Sequence, residues 1–148
     1  MASRLIHETI AACIWPPGER SEQAWTRGGG VYLSTDAGAT WKPIFIQSQH
    51  VYDVTIDPNA PDTLYICGFD AAAYRSIDAG LNWTRIQGYN FKWGHHVIVD
   101  PNDASKIYIT TYGGSVWHGP AAGDPNAVED SLTPLPIAHQ RLRKPGVD

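Results

Sequence analysis

Three of the six tryptophans stand among side chains that could share a ligand with them. Trp15 and Trp25 bracket Glu19 and Arg20, Trp93 lies between Lys92 and Gly94-His95, and Asp70 directly follows Phe69. An indole stacks on apolar C-H faces while carboxylate, guanidinium and ammonium groups bond hydroxyls around it, a combination that suits a polyhydroxylated ligand such as a sugar. Trp15, Glu19, Arg20, Trp25, Asp70, Lys92, Trp93 and His95 are therefore the candidate ligand-binding residues. Acid-base chemistry on that ligand would draw on Asp53 or Asp70, but cleaving a glycosidic bond ordinarily takes two carboxylates that flank it. The spacing pairs neither with a partner, and the catalytic residues stay unassigned. His50, His95 and His96 raise metal binding as a second chemistry. Neighbours on a strand point to opposite faces, so His95 and His96 cannot both reach one ion from regular geometry, and no cysteine accompanies His50. Structural histidines are expected, with no metal and no cofactor.

The elements that must position these residues come from an internal repeat. Ser34-Thr-Asp36-Ala-Gly38-Ala-Thr-Trp41 recurs as Ser76-Ile-Asp78-Ala-Gly80-Leu-Asn-Trp83, an offset of 42. Val54-Thr-Ile-Asp57-Pro58-Asn59 returns as Val97-Ile-Val-Asp100-Pro101-Asn102, and Leu64-Tyr65-Ile66 as Ile107-Tyr108-Ile109, both at 43. Upstream, Thr9 to Trp15 aligns with Thr63 to Phe69 at 54, which implies an insertion before Gly30. Within each unit, short alternating or β-branched runs are bounded by Asp-Pro-Asn, Gly-Phe-Asp and Asp-Ala-Gly, and no helical stripe appears. One full unit reads as strands at about 51 to 57, 63 to 68, 72 to 76 and 83 to 87. Four antiparallel strands in ~40 to 45 residues is the pattern of a propeller blade, with a jelly roll or sandwich as the alternative fold.

The eight-residue motif is a hairpin turn. Ser34 and Ser76 end a strand, Asp36 and Asp78 can accept N-H bonds inside the loop, and Gly38 and Gly80 supply a positive φ. Trp41 and Trp83 then carry an apolar face between neighbouring blades. On these residues the chain resembles the Asp-box, or BNR-repeat, β-propellers, which include sialidases, xyloglucanase-like glycoside hydrolases, sortilin-type domains and photosystem II assembly factors. Trp15-Pro-Pro-Gly to Trp25, Gly28-Gly-Gly-Val-Tyr32, Phe91-Lys-Trp93-Gly-His95 and Tyr112-Gly-Gly-Ser-Val-Trp117-His-Gly-Pro120 are similar to later blades of bacterial xyloglucanase-like propellers. The resemblance implies an all-β chain of antiparallel four-stranded blades forming an incomplete β-propeller. It also implies a glycan or polysaccharide partner and an extracellular or periplasmic parent protein. The family's paired catalytic aspartates belong to other blades and find no motif here, so the chain is not expected to be catalytic alone. The alternative within the resemblance is a non-enzymatic propeller that grips a protein segment.

Blade topology then sorts the loops. The Asp boxes and the Asp57 and Asp100 turns share one rim; the loops holding Trp15 to Gly29, Phe69-Asp70, Gly88 to His96 and Tyr112-Gly113 share the other, where the ligand residues fall. Asp53 and His96 occupy equivalent innermost positions. Cys13 and Cys67 are also equivalent, so they sit about one sheet spacing of ~10 Å apart, too far for a disulfide, and read as buried free thiols. The blades are expected at about 9–50, 51–92 and 93–118, followed by a Pro-rich extended tail or linker over 119–148. That makes about ten strands, whereas closed rings use roughly four to eight blades, so further blades or further copies of the chain must complete one.

Composition agrees with a folded globular chain: 148 residues, 43% hydrophobic and 18% charged, with net charge -4. The basic residues are dispersed up to Arg141, which leaves no footprint for nucleic acid or an anionic membrane surface. No apolar run approaches the roughly 20 residues of a spanning helix, and Ile10 to Trp15 lacks the form of a signal peptide.

Overall fold

A computed structural model describes residues 9–13, 30–45, 50–69, 73–91 and 93–127. They form ten strands in chain order: β1 Thr9–Cys13, β2 Gly30–Ser34, β3 Lys42–Phe45, β4 Val51–Asp57, β5 Ala60–Gly68, β6 Ala73–Ser76, β7 Thr84–Arg85, β8 Gly94–Val99, β9 Lys106–Thr111 and β10 Val116–Pro120. Three antiparallel sheets result, ordered β1-β2-β3, β4-β5-β6-β7 and β10-β9-β8. The second sheet is the complete four-stranded blade. By its register, the first sheet holds the counterparts of its second, third and fourth strands, and the third sheet those of its first three.

The second unit follows the expected strands closely. β4 spans the anticipated residues, and β5 starts earlier because Asp57 pairs directly with Ala60 across a tight turn. β7 is shorter than expected, and the Gln87 carbonyl beyond it accepts from Asp124 N-H at 3.1 Å. In the third sheet Gly119 and Pro120 still pair with Ile107 and Lys106, two residues past the expected blade end at 118. Beyond them, Ala121 is buried and its N-H bonds the Ser105 carbonyl at 2.8 Å.

Strand alternation builds the core between sheets. Val97, Val99, Ile107 and Ile109 face the second sheet and meet Tyr65, Cys67, Ala73, Ile86, Tyr89 and Phe91. Trp117 packs on the edge of that cluster. Between first and second sheets, Val31, Phe45, Val51 and Ile66 form a smaller cluster edged by Ile44, Val54, Tyr74 and Trp83. Cys67 is a buried free thiol, its pKa raised by burial first and by the Asp53 carboxylate second; the Cys13 side chain lies outside the described residues.

Both Asp-box hairpins are built alike. Ser34 and Ser76 hydroxyls accept the Gly38 and Gly80 N-H groups at 2.7 and 2.8 Å and donate to Asp36 and Asp78 at 2.8 Å. Those carboxylates also accept the Thr40 and Asn82 N-H groups at 2.8 Å. Positive φ extends to Ala37 (56°) and Ala79 (57°) as well as to the glycines. The Trp83 indole reaches the first sheet, donating to the Ile44 carbonyl at 3.0 Å and meeting the Phe45 ring edge-on at 5.3 Å. A side chain at Gly80 would fall 2.6 Å from Ile44 Cδ1, so the glycine also permits this close approach.

Candidate functional site

The rim opposite the Asp boxes carries a belt of rings. Its backbone comes from two repeated contacts. Phe69 N-H bonds the His50 carbonyl at 2.9 Å, and at the same positions one unit later Tyr112 N-H bonds the Trp93 carbonyl at 3.0 Å. A third bond, Trp93 N-H to the Phe69 carbonyl at 3.2 Å, joins the two blades. The β5-β6 turn, the entry to β8 and the β9-β10 turn are thereby fixed to one another.

Side chains follow that frame. Phe69 stacks on Trp93 with ring centroids 5.8 Å apart and planes at 29°, and His50 meets Phe69 edge-on at 5.9 Å. Tyr112 takes the edge of His95 at 4.7 Å and of Tyr52 at 6.1 Å. Phe69, Trp93 and Tyr112 are 40%, 45% and 55% exposed, and they are the large aromatic side chains that stand open among the described residues. The exposed large side chains of the Asp-box rim, Ile77 and Leu81, are aliphatic. Trp93 has φ of 60°, a left-handed conformation that a bulky side chain rarely adopts. Such strain persists where surrounding bonds over-determine it, here the two backbone bonds on either side of the residue. The indole is thereby held outward on the stacked Phe69 ring instead of turning into the core.

Asp53 sits below the belt, on the innermost strand. Its Oδ2 accepts from His96 Nδ1 at 2.8 Å, from Val97 N-H at 3.0 Å and from Thr55 Oγ1 at 3.0 Å. Thr55 Oγ1 also lies 2.6 Å from the Val97 carbonyl. The carboxylate is thus occupied as a tie between β4 and β8. A bulge at the same repeat position in both strands, between Val51 and Asp53 and between Gly94 and His96, aims these side chains at one another. His95 and His96 go to different partners, the Tyr112 ring and Asp53.

Of the expected ligand residues, Trp93 and His95 stand on this rim. Trp15, Glu19, Arg20, Trp25, Asp70 and Lys92 lie outside the described residues. The reading from sequence passed over Tyr52, Phe69 and Tyr112 as ring partners. Their signal was available in the repeat: at an offset of 43, His50 falls on Trp93, Tyr52 on His95 and Phe69 on Tyr112, so three positions carry a ring in both copies.

Asp36, Asp57, Asp78, Asp100, Asp103 and Asp124 accept backbone N-H groups within turns. Asp36 is held at about 2 by the Thr40 hydroxyl first, then Thr40 N-H and the Ser34 hydroxyl, and Asp78 is lowered chiefly by the Asn82 amide. Asp103 is also held at about 2, through Ser105 and Lys106. These groups are ionised turn supports on the rim away from the rings.

Three antiparallel sheets with two Asp-box hairpins define propeller-type blades. No family model matches the chain. Over 94 residues it is 27% identical to an oligoxyloglucan-reducing end-specific xyloglucanase of Emericella nidulans, covering 57% of this chain and 12% of that protein. Over 110 residues it is 29% identical to a probable oligoxyloglucan-reducing end-specific xyloglucanase of Neosartorya fischeri, covering 64% of this chain and 14% of that one. Its fold matches that of the GH74 xyloglucanase from Xanthomonas campestris with a TM-score of 0.53 at 22% identity, over 62% of this chain and 16% of that one. The chain is therefore a distant homologue, over part of its length, of these xyloglucanases. It spans about an eighth of the curated relatives it matches.

Proposed function

We propose that the chain contributes a carbohydrate-contacting rim to a secreted, glycan-active Asp-box propeller, with a xyloglucan-type polysaccharide as ligand. The observation that supports this reading is the exposed, backbone-clamped stack of Phe69 and Trp93 beside Tyr112 and His95. Flat rings held open at a fixed angle offer stacking surfaces to sugar faces, and polar groups at the edge supply hydroxyl contacts. On this reading catalysis rests on carboxylates other than Asp53, which is engaged between β4 and β8, and other than the Asp-box carboxylates, which support turns. Relatives named for action on oligoxyloglucan reducing ends suggest the polymer, and the ring would be completed by further blades.

Tryptophan fluorescence of the full chain titrated with xyloglucan oligosaccharides tests the reading. Trp93→Ala is expected to weaken binding about tenfold, close to 1.4 kcal/mol, whereas Trp41→Ala on the opposite rim leaves it unchanged. Equal binding by both variants, or no binding of any glycan by wild type together with stoichiometric capture of a protein segment, would overturn it.

A further inference from the structure

The turn that follows β10 repeats part of the Asp-box backbone without its side chains. Ala121 N-H bonds the Ser105 carbonyl at 2.8 Å, as Ala79 N-H bonds the Asp62 carbonyl at 2.9 Å. Gly123 N-H bonds the Pro120 carbonyl at 3.0 Å, as Leu81 N-H bonds the Asp78 carbonyl at 3.3 Å. In this register His118, Pro120, Ala122 and Pro125 stand where Ser76, Asp78, Gly80 and Trp83 stand one unit earlier. With no indole to insert, the backbone itself closes on the second sheet. A Cβ added to Gly123 would fall 2.7 Å from Gln87 N and 3.2 Å from Ile86 Cγ2. Beside Ala122 the outer part of the second sheet stays open as a groove of about 350 Å³.

Two kinds of side chain line that groove. Arg75 and Arg85 bring guanidinium groups and Thr84 a hydroxyl, while Ile77, Ile86 and Ala122 bring apolar surface. Asp78 and Asn82 complete the wall, but the Asp78 oxygens are taken by Ser76 and Asn82. Arg75 extends over the Tyr65 ring, 5.8 Å from its centroid, and its Nε is buried without a hydrogen-bond partner. Among the described residues no carboxylate pairs with it. A guanidinium so placed is best matched by a carboxylate, which accepts two parallel N-H bonds at once. The apolar side is peculiar to this hairpin. Ile77 and Leu81 are 68% and 77% exposed, where the first Asp box has Thr35 and Ala39 and the turn after β10 has Gly119 and Gly123. The turn does not require the aliphatic pair, because the same bonds form around Thr35 and Ala39.

We propose that this groove binds a free medium-chain fatty-acid anion, its carboxylate on the Arg75 guanidinium and its alkyl chain over Ile77 and Ala122. Such a ligand supplies the acceptor that Arg75 lacks and removes aliphatic surface from water. The site lies at the Asp-box end of the second sheet, away from the aromatic belt and independent of any sugar bound there.

Titration of the full chain with octanoate, hexanoate, 1-octanol and acetate, followed by calorimetry and amide chemical shifts, tests this. Octanoate is expected to bind saturably and to shift amides of residues 75–86 and 122. Each methylene from hexanoate to octanoate is expected to tighten binding about twofold to fourfold, and Ile77→Ser to reduce that gain. Acetate and 1-octanol, each lacking one half of the ligand, bind about tenfold more weakly or worse. Arg75→Gln is expected to weaken octanoate about tenfold and to leave 1-octanol unchanged. Thr84→Glu sets a competing carboxylate opposite Arg75, its partner across the β6-β7 ladder, and is expected to weaken octanoate similarly. Thr84 is exposed, so this variant decides the matter even if Arg75→Gln fails to fold. Octanoate binding no tighter than that of acetate, shifts confined to other residues, or unchanged affinity in a folded Arg75→Gln or Thr84→Glu chain overturns the site.

Discussion

The second sheet meets its two neighbours through faces of the same design and unequal completeness. Toward the third sheet, β4 lies against β8, an innermost strand against an innermost strand, and Val97 and Val99 are 0% and 8% exposed. Toward the first sheet the residues one repeat earlier are Val54 and Ile56. Val54 is only partly buried and Ile56 is 46% exposed, because the first sheet has no innermost strand among the described residues to cover them. The same side-chain positions are core on one side and surface on the other. Burial in this repeat therefore belongs to neighbouring pairs of strands and not to a blade by itself, as expected for architectures whose units stack.

Core truncation gives the largest contrast between the two faces. Ile109, fully buried at the complete interface, loses transfer free energy and leaves a cavity when cut to Ala, at a cost of about 2–5 kcal/mol. Ile56→Ala at the incomplete interface is expected to cost within about 0.5 kcal/mol, as an exposed site does. Urea midpoints of both variants measure the difference. Equal midpoints would mean that the two interfaces are equally closed in solution.

The polar tie gives a smaller effect, confined to the complete interface. Asp53→Ala removes the acceptor for Val97 N-H, Thr55 Oγ1 and His96 at once. A partly buried N-H left unpaired costs about 1–3 kcal/mol. Asp53→Asn keeps a carbonyl oxygen in place and is expected to recover part of that loss, while the half-exposed His96 matters less, so His96→Ala falls below both. Denaturation of the three variants ranks them. If His96→Ala equals Asp53→Ala, the tie is the ion pair and not the backbone N-H.

The Asp-box turns were legible in the sequence because four fixed positions recur in phase: Ser34, Asp36 and Gly38, like Ser76, Asp78 and Gly80, take the roles their types dictate, and Trp83 reaches the neighbouring sheet. Strand β4 was legible for the same reason. The belt was half legible. Trp93 and His95 were picked out by residue type, whereas Phe69 and Tyr112 acquire their place from backbone bonds between turns about 19 to 24 residues apart, which no local pattern encodes. Asp53 was placed correctly on the inner strand, but its occupation depends on a bulge in β8 that turns Val97 N-H toward it, a feature invisible until the register is known.

The smallest expected effect separates the two Asp boxes. Thr40 and Ser34 hold the Asp36 carboxyl at about 2, below its unfolded value of roughly 3.9. A depressed folded pKa contributes stability above the unfolded pKa and loses it as pH falls through the folded one. The ionisation-linked part of the midpoint difference between wild type and Asp36→Ala is therefore expected to be present well above about pH 4 and to be lost as pH falls through about 4 toward 2. Asp78 is lowered in the same sense, through Asn82 and Ser76. Its hairpin, however, presents Trp83 to Phe45 and the Ile44 carbonyl, while Trp41 meets no preceding sheet among the described residues. Asp78→Ala should accordingly lower the neutral-pH midpoint more than Asp36→Ala, because loosening the second turn also loosens the wedge between sheets. Equal midpoints at neutral pH would show that the turn, and not the tryptophan it positions, is what the carboxylate stabilises.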